Sequence, residues 1–154
     1  MRAGREVTLE QFMNVAEFRA SLRVFLRHNE QTCRRFGLTP QRYLLLLAVK
    51  GAPGGTERLS FSELADRLQL SRNTVTELCA RAEEAGLLER EPSQQDQRVV
   101  YLRVSEEGER RLAAVVLESE TFRDELVAAF EALTDAFHAA RRLPPRRTAQ
   151  NGRR

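Results

Sequence analysis

Two capped helices, a short turn between them and a polar-tipped ribbon behind them occupy residues 60–104, and this stretch constrains the fold more than any other. Ser60-Phe61-Ser62-Glu63 has the form of a capping box, in which the Ser60 hydroxyl accepts the amide three residues on and Glu63 returns to the cap's own N–H. Phe61, Leu64, Ala65 and Leu68 then recur at helical spacing, which buries one stripe. A turn at Gln69-Leu70 leads to Ser71, a second N-cap, and to a helix from Arg72 to about Ala85 that Gly86 closes. With each residue advancing about 100°, Val75, Leu78, Cys79, Ala82 and Ala85 gather on one side of this second helix. Arg72, Asn73, Thr76, Glu77, Ala80, Arg81 and Glu84 take the rest. Ala65 is small where two steeply crossed helices touch, and Val75 is an apolar anchor, as a helix-turn-helix requires. Glycine is the easier turn residue, so Gln69 must carry an uncomfortable backbone or take another turn shape. After Gly86 the apolar period changes: residues 87–91 read as a strand, 92–97 as a polar hairpin tip and 98–104 as the returning strand, a wing.

At 154 residues the chain has room for one domain with extensions. Its 42% hydrophobic and 31% charged residues are those of an ordinary soluble protein. No run approaches the roughly 18 apolar residues of a membrane span, and the N-terminus lacks a signal-peptide core, so a cytoplasmic location is expected. Two cysteines in that setting read as reduced thiols. The net charge of +3 is unevenly spread: residues 141–154 hold six Arg and no acid, which leaves 3 − 6 = −3 for the rest. Any affinity for a polyanion must therefore come from where the cations sit.

Both ends of the chain predict long amphipathic helices. Thr8-Leu9-Glu10-Gln11 is another capping-box pattern, and an apolar face through Phe12, Ala16, Leu22, Phe25, Leu26 and Cys33 reaches Phe36 before Gly37 stops it. Such length predicts packing on a partner helix or another subunit. Thr39-Pro40 caps a helix whose apolar run from Tyr43 to Val49 predicts a central, buried element. Residues 52–55 read as a loop, with a short strand at Leu59. Ser105 caps a last helical region, with Glu106 and Glu107 in its first turn. Leu112, Val115, Val116, Ser119, Phe122, Leu126, Phe130, Leu133 and Phe137 carry its face. Unbroken to residue 142 it would span about 57 Å at 1.5 Å per residue, and a break at 118–121 has no Gly or Pro to mark it. The expected fold class is mainly α with a small β-wing. The expected organisation is a long N-terminal helix in residues 1–37, a winged helix-turn-helix domain in 38–104, C-terminal helices in 105–142 and a basic, disordered tail in 143–154. No nucleophile with a placed base, phosphate loop or carboxylate pair is present, which argues against an enzyme. His28, Glu30, Cys33 and His138 lack the spacing of metal ligands, so neither a metal nor another cofactor is expected.

Leu38-Thr39-Pro40-Gln41-Arg42-Tyr43, the run from Leu64 to Thr76, Glu84-Ala85-Gly86-Leu87-Leu88-Glu89-Arg90, Asp96-Gln97-Arg98 and Val104-Ser105-Glu106-Glu107-Gly108 together resemble the MarR family of bacterial transcriptional regulators. The motifs stand in the family's order over roughly residues 8–140. The resemblance implies a homodimer whose terminal helices, in residues 1–37 and 105–142, interlock as dimerisation helices and whose two winged helices meet a pseudo-palindromic DNA operator as a repressor. It places Ser71, Arg72, Asn73 and Thr76 at the start of the recognition helix, where Arg pairs with guanine and Asn with adenine in the major groove. It makes Arg98 the wing arginine that reaches the minor groove or its phosphates, and Asp96 the acid that holds it. Arg81 lies on the same polar helix face, and Arg90 and Arg103 on the ribbon are phosphate-contact candidates by position. Glu77 departs from the family, which often has a base there; it either accepts from cytosine N4 or lowers non-specific affinity. A small aromatic or phenolic effector is also implied, with Phe25, Asn29, Tyr43 and Leu47 as its pocket. Two alternatives stand: a winged-helix protein-interaction module without DNA binding, favoured by Glu77 and the acidic body, and a thiol-based redox regulator acting through Cys33, whose Arg34 and Arg35 neighbours would lower a thiol pKa.

Overall fold

Six α-helices and a three-stranded antiparallel sheet are present in a computed structural model that describes residues 6–142. The tail expected at 143–154 lies outside the described residues. In chain order the elements are α1 (Leu9–Arg35), α2 (Pro40–Lys50), β1 (Arg58–Ser60), α3 (Phe61–Leu68), α4 (Arg72–Glu84), β2 (Leu88–Pro92), β3 (Val100–Val104), α5 (Glu106–Glu118) and α6 (Glu120–Arg142). They fall into two compact units: residues 26–120, and the two chain ends up to Phe25 and from Thr121.

Local capping chemistry sets most of these boundaries. Thr8 and Gln11 exchange hydrogen bonds at the start of α1, the Gln11 amide donating to Thr8 Oγ1 at 3.2 Å and the Thr8 amide to Gln11 Oε1 at 3.0 Å. Thr39 caps α2 with Pro40 behind it, Ser60 and Glu63 form the full capping box of α3, and Ser71 and Ser105 cap α4 and α5. Gln69 ends α3 in the left-handed region at φ 53° and ψ 42°, so the turn keeps its shape and the backbone bears the strain. Gly86 closes α4 at φ +71°, where the Leu87 amide reaches the Ala82 carbonyl at 2.9 Å.

The core of residues 26–120 is built around α2. Leu45, Leu46 and Val49 have no exposed surface, and Leu64, Val75, Cys79, Leu87 and Leu102 pack with them into one cluster. Leu44 and Leu47, however, are 53% and 39% exposed, so α2 is central on one face only, against the expectation of a helix buried throughout. The wing is also more than a two-stranded ribbon. β1 pairs with β3 through Leu59 and Leu102, giving the order β1-β3-β2. The returning strand starts at Val100 and not at Arg98, because the Val99 amide donates to the Asp96 carbonyl at 3.0 Å and leaves Arg98 in the tip.

The last helical region breaks between α5 and α6 at Ser119, within residues 118–121, where the sequence leaves one helix or two open. Its neighbour Glu118 pairs with Arg35 through the carboxylate, and the Glu118 carbonyl lies 3.4 Å from His28 Nε2. In the unit formed by the chain ends, the Phe18 and Phe130 rings meet with centroids 5.7 Å apart.

Gly108 in the first turn of α5 is buried, and a Cβ there would fall 2.4 Å from the Leu87 carbonyl oxygen. Alanine favours an open helix over glycine by about 1 kcal/mol, but here the overpacking term, about 1–3 kcal/mol, is larger and of opposite sign. Gly108→Ala is therefore expected to lower Tm by several degrees in thermal unfolding followed by circular dichroism. An unchanged or higher Tm would show that α5 shifts off Leu87 without cost.

Candidate nucleic-acid interface

The first turns of α4 and the wing tip carry most of the residues singled out for DNA contact, and the structure divides them by what already holds their side chains. Ser71 Oγ accepts the Thr74 amide at 3.2 Å and lies 2.8 Å from Thr74 Oγ1, so its hydroxyl is committed to the cap. Thr76 turns its hydroxyl back to donate to the Arg72 carbonyl at 2.8 Å, a bond that competes with any base contact. Arg72 reaches across the turn, where Nη2 donates to Ser62 Oγ on α3 at 3.1 Å. Asn73, Glu77 and Arg81 are exposed and carry no side-chain hydrogen bond or ion pair among the described residues. At i, i+4 and i+8 they form one face within about 80° of arc.

The wing arginines differ sharply. Arg90 Nε donates to both carboxylate oxygens of Glu83, at 3.0 and 2.9 Å, and its guanidinium lies 5.2 Å from the Phe61 ring centroid. That pairing raises the Arg90 pKa further above its ordinary value, and it binds the start of the wing to the end of α4. Arg103 and Arg58 share the carboxylate of Glu91, at 3.2 and 2.7 Å, which both hold below the usual carboxylate range. Arg90 and Arg103 thus sit on the ribbon as expected, but with acids already opposite their charges.

Arg98 is the exception. Asp96 Oδ1 accepts its backbone N–H at 3.0 Å, and among the described residues no carboxylate holds its guanidinium. The acid therefore shapes the loop and does not grip the side chain. Ser93 completes this frame: Oγ accepts the amides of Gln95 and Asp96, each at 3.2 Å, and the Ser93 amide donates to the Val99 carbonyl at 2.9 Å. Ser62, Phe61, Glu83, Glu91 and Ser93 all take part in placing the cations and were not singled out from sequence. Only Ser93, a hydroxyl following Pro92 in a polar tip, carries a recognisable turn signal.

The residues named for an effector pocket are not gathered by one cavity of residues 26–120. Asn29 and Tyr43 are both 8% exposed, and Asn29 Oδ1 has no hydrogen-bond partner among the described residues. Leu47 lines a groove of about 320 Å³ with Lys50, Gly51, Glu109, Leu112, Ala113 and Val116. Phe25, on α1, belongs to the other unit.

Neither thiol has the setting of a redox sensor. Burial pushes Cys33 up to about 11 and Cys79 up to about 12, and both are fully buried. Desolvation dominates at Cys33, opposite to the lowering that adjacent Arg34 and Arg35 suggested, and Glu30 adds to the rise. The folded state holds both protons more tightly than the unfolded chain. This contribution to stability is complete below about pH 9 and is lost as pH rises through 11 to 12. Iodoacetamide at pH 8 is accordingly expected to label neither cysteine in the folded protein and both in denaturant, read by mass spectrometry; rapid native labelling of Cys33 would contradict the burial argument.

Comparison with known proteins adds the following. Residues 36–99 match the model of the MarR family. The HTH-type transcriptional regulator YsmB of Bacillus subtilis is 26% identical over 137 residues, covering 81% of this chain and 91% of that protein. AbsC, a MarR family transcriptional regulator from Streptomyces coelicolor, has a similar structure, with a TM-score of 0.64 at 22% identity over 88% of this chain and 93% of that one. Sco3205, a MarR family transcriptional regulator from Streptomyces coelicolor solved in complex with DNA, gives a TM-score of 0.56 at 22% identity over 94% of this chain and 82% of that one. At these identities the two structures share the fold.

Proposed function

We propose that this chain, which belongs to the MarR family of winged helix-turn-helix transcription regulators, is a cytoplasmic repressor that binds a pseudo-palindromic double-stranded DNA operator as a homodimer. One observation carries the reading: the side chains of Asn73, Glu77 and Arg81 on α4 and of Arg98 in the wing are exposed and, among the described residues, unattached, while the residues around them are tied into the frame. An exposed helix face beside a pre-shaped loop that presents Arg98 is what groove readout needs. In this reading Asn73 pairs with adenine, Glu77 accepts from cytosine N4, and Arg98 engages the minor groove or its phosphates. Ser71 and Thr76 shape the helix start, Arg81 lies along the groove wall, and Asp96 holds the loop. Arg90 and Arg103 serve mainly to brace the wing.

The homodimer is supported by the apolar side chains that the chain-end unit leaves in water. Leu9, Phe12 and Met13 on α1 are 75%, 61% and 63% exposed, and Phe130 on α6 is 54% exposed. Large apolar side chains left exposed at helical spacing on α1, with Phe130 on α6, suit a contact face. A small aromatic or phenolic effector belongs to the same reading, supported by the groove at Leu47, which is lined by the apolar Leu112, Ala113 and Val116 together with the paired Lys50 and Glu109. Benzoate is expected to raise the Tm of the wild-type chain and to leave that of Leu47→Glu unmoved; equal shifts in both would remove the groove from the proposal.

The DNA reading is tested with duplexes selected from a randomised pool by the full-length chain. Asn73→Ala is expected to weaken binding by about 1–3 kcal/mol, roughly 5- to 150-fold, by losing one base contact. Arg98→Ala should reduce the slope of log K against log[salt] by about 0.9 per chain, whereas Arg90→Ala should leave that slope unchanged, because its guanidinium, engaged by Glu83, contacts no phosphate in this reading. Were no sequence enriched, the chain would instead be the protein-interaction module that exposed Glu77 favours.

A further inference from the structure

We propose that Ser62 is a positioning residue for sequence readout: its hydroxyl aims the Arg72 guanidinium and thereby sets the base preference at one position of each half-site. This rests on the DNA-binding reading above. Arg72 is the first residue of α4 and is exposed, and its Nη2 reaches back over the turn to Ser62 Oγ at 3.1 Å. Ser62 does not serve the cap of α3, since Ser60 and Glu63 complete the capping box between themselves. Its hydroxyl is therefore available to a side chain from the next helix.

The chemistry of the holder is what separates Arg72 from the arginines tethered on the sheet. Glu83 holds Arg90, and Glu91 holds Arg58 and Arg103, so each of those guanidiniums faces an acid. Arg72 is held by a neutral hydroxyl. A hydroxyl fixes direction without cancelling charge, and it uses one of the five N–H donors, leaving the rest of the fork for a partner. The rotamer freedom that a loose arginine would lose on docking is in part already lost, which favours a bidentate contact at one defined place over diffuse attraction. Nothing in the sequence marks this pair: the residues are ten apart, on different helices, and Ser62 reads as a solvated position in the first turn of α3.

The experiment uses the selected duplex and its single-base variants with wild type, Ser62→Ala, Ser62→Thr, Arg72→Ala and the Ser62→Ala/Arg72→Ala pair, with binding read by fluorescence anisotropy. Ser62→Ala is expected to lower discrimination at one base-pair position per half-site about tenfold, with Tm and the salt slope unchanged, because no charge has been removed. Ser62→Thr, which keeps the hydroxyl, should restore that discrimination. In the Arg72→Ala background, Ser62→Ala should have no further effect. Undiminished discrimination in Ser62→Ala would overturn the proposal, and so would an equal loss from Ser62→Ala with Arg72 already absent, since Ser62 would then touch DNA itself. Failure of the wild type to select any sequence would overturn the DNA reading, and is seen before any variant is made.

Discussion

One buried hydroxyl joins the end of α4 to everything that follows it. Ser105 Oγ donates to the Gly86 carbonyl at 2.6 Å and accepts the Gly108 amide at 3.1 Å, while the Ser105 amide donates to the Leu87 carbonyl at 3.0 Å. Ser105 is only 7% exposed, so these groups have little water to fall back on, and each bond lost would leave a polar atom desolvated. Four elements meet here: α4 ends, β2 begins, β3 ends and α5 begins. Because α4 is a rigid rod, fixing its C-terminal end against α5 and the sheet also fixes where its first turn points. Gly108 is part of the same constraint, since only a residue without a side chain lets α5 come this close to the Leu87 carbonyl.

Around that joint the surface charges are arranged in pairs that are local and exposed. Glu83 with Arg90, Glu91 with Arg58 and Arg103, and Lys50 with Glu57 and Glu109 each link two or more elements. Individually such pairs contribute little to stability in water. Their larger effect is geometric: Arg90 ties the wing to α4, and Glu91 bridges two arginines that would otherwise repel across adjacent strands, since Arg58 and Arg103 stand in direct register.

What the sequence made legible follows from how far each interaction reaches. The caps at Thr8, Thr39, Ser60, Ser71 and Ser105 act over three residues, and all five are visible as local patterns. The strained Gln69 could be anticipated because the turn demands a conformation that its side chain does not favour. The break at Ser119 could be suspected but not fixed, since the residues that meet it, His28 and Arg35, lie 90 and 83 positions from Glu118. The candidate site shows the same limit. Position along a helix or ribbon placed Arg90, Arg103, Ser71 and Thr76 on the reading face, but which of them were free depended on acids and carbonyls competing for the same donors. Cys33 shows it most plainly: two adjacent arginines suggested a reactive thiol, and burial by distant elements decided the matter the other way.

On the proposed reading, the tethered arginines also bear on how such a regulator would find its target. Most duplex it meets is the wrong sequence, and its dwell there depends on unneutralised cations facing the phosphate ladder. With Arg58, Arg90 and Arg103 already opposite acids and Glu77 on the face itself, that grip falls to fewer cations, Arg72, Arg81 and Arg98 among them. Encounters with arbitrary duplex are thereby shorter than they would be with those three cations free. The acids near the reading face thus act as a clutch, keeping the molecule disengaged from bulk DNA until a matching groove offers the contacts that the free side chains can make.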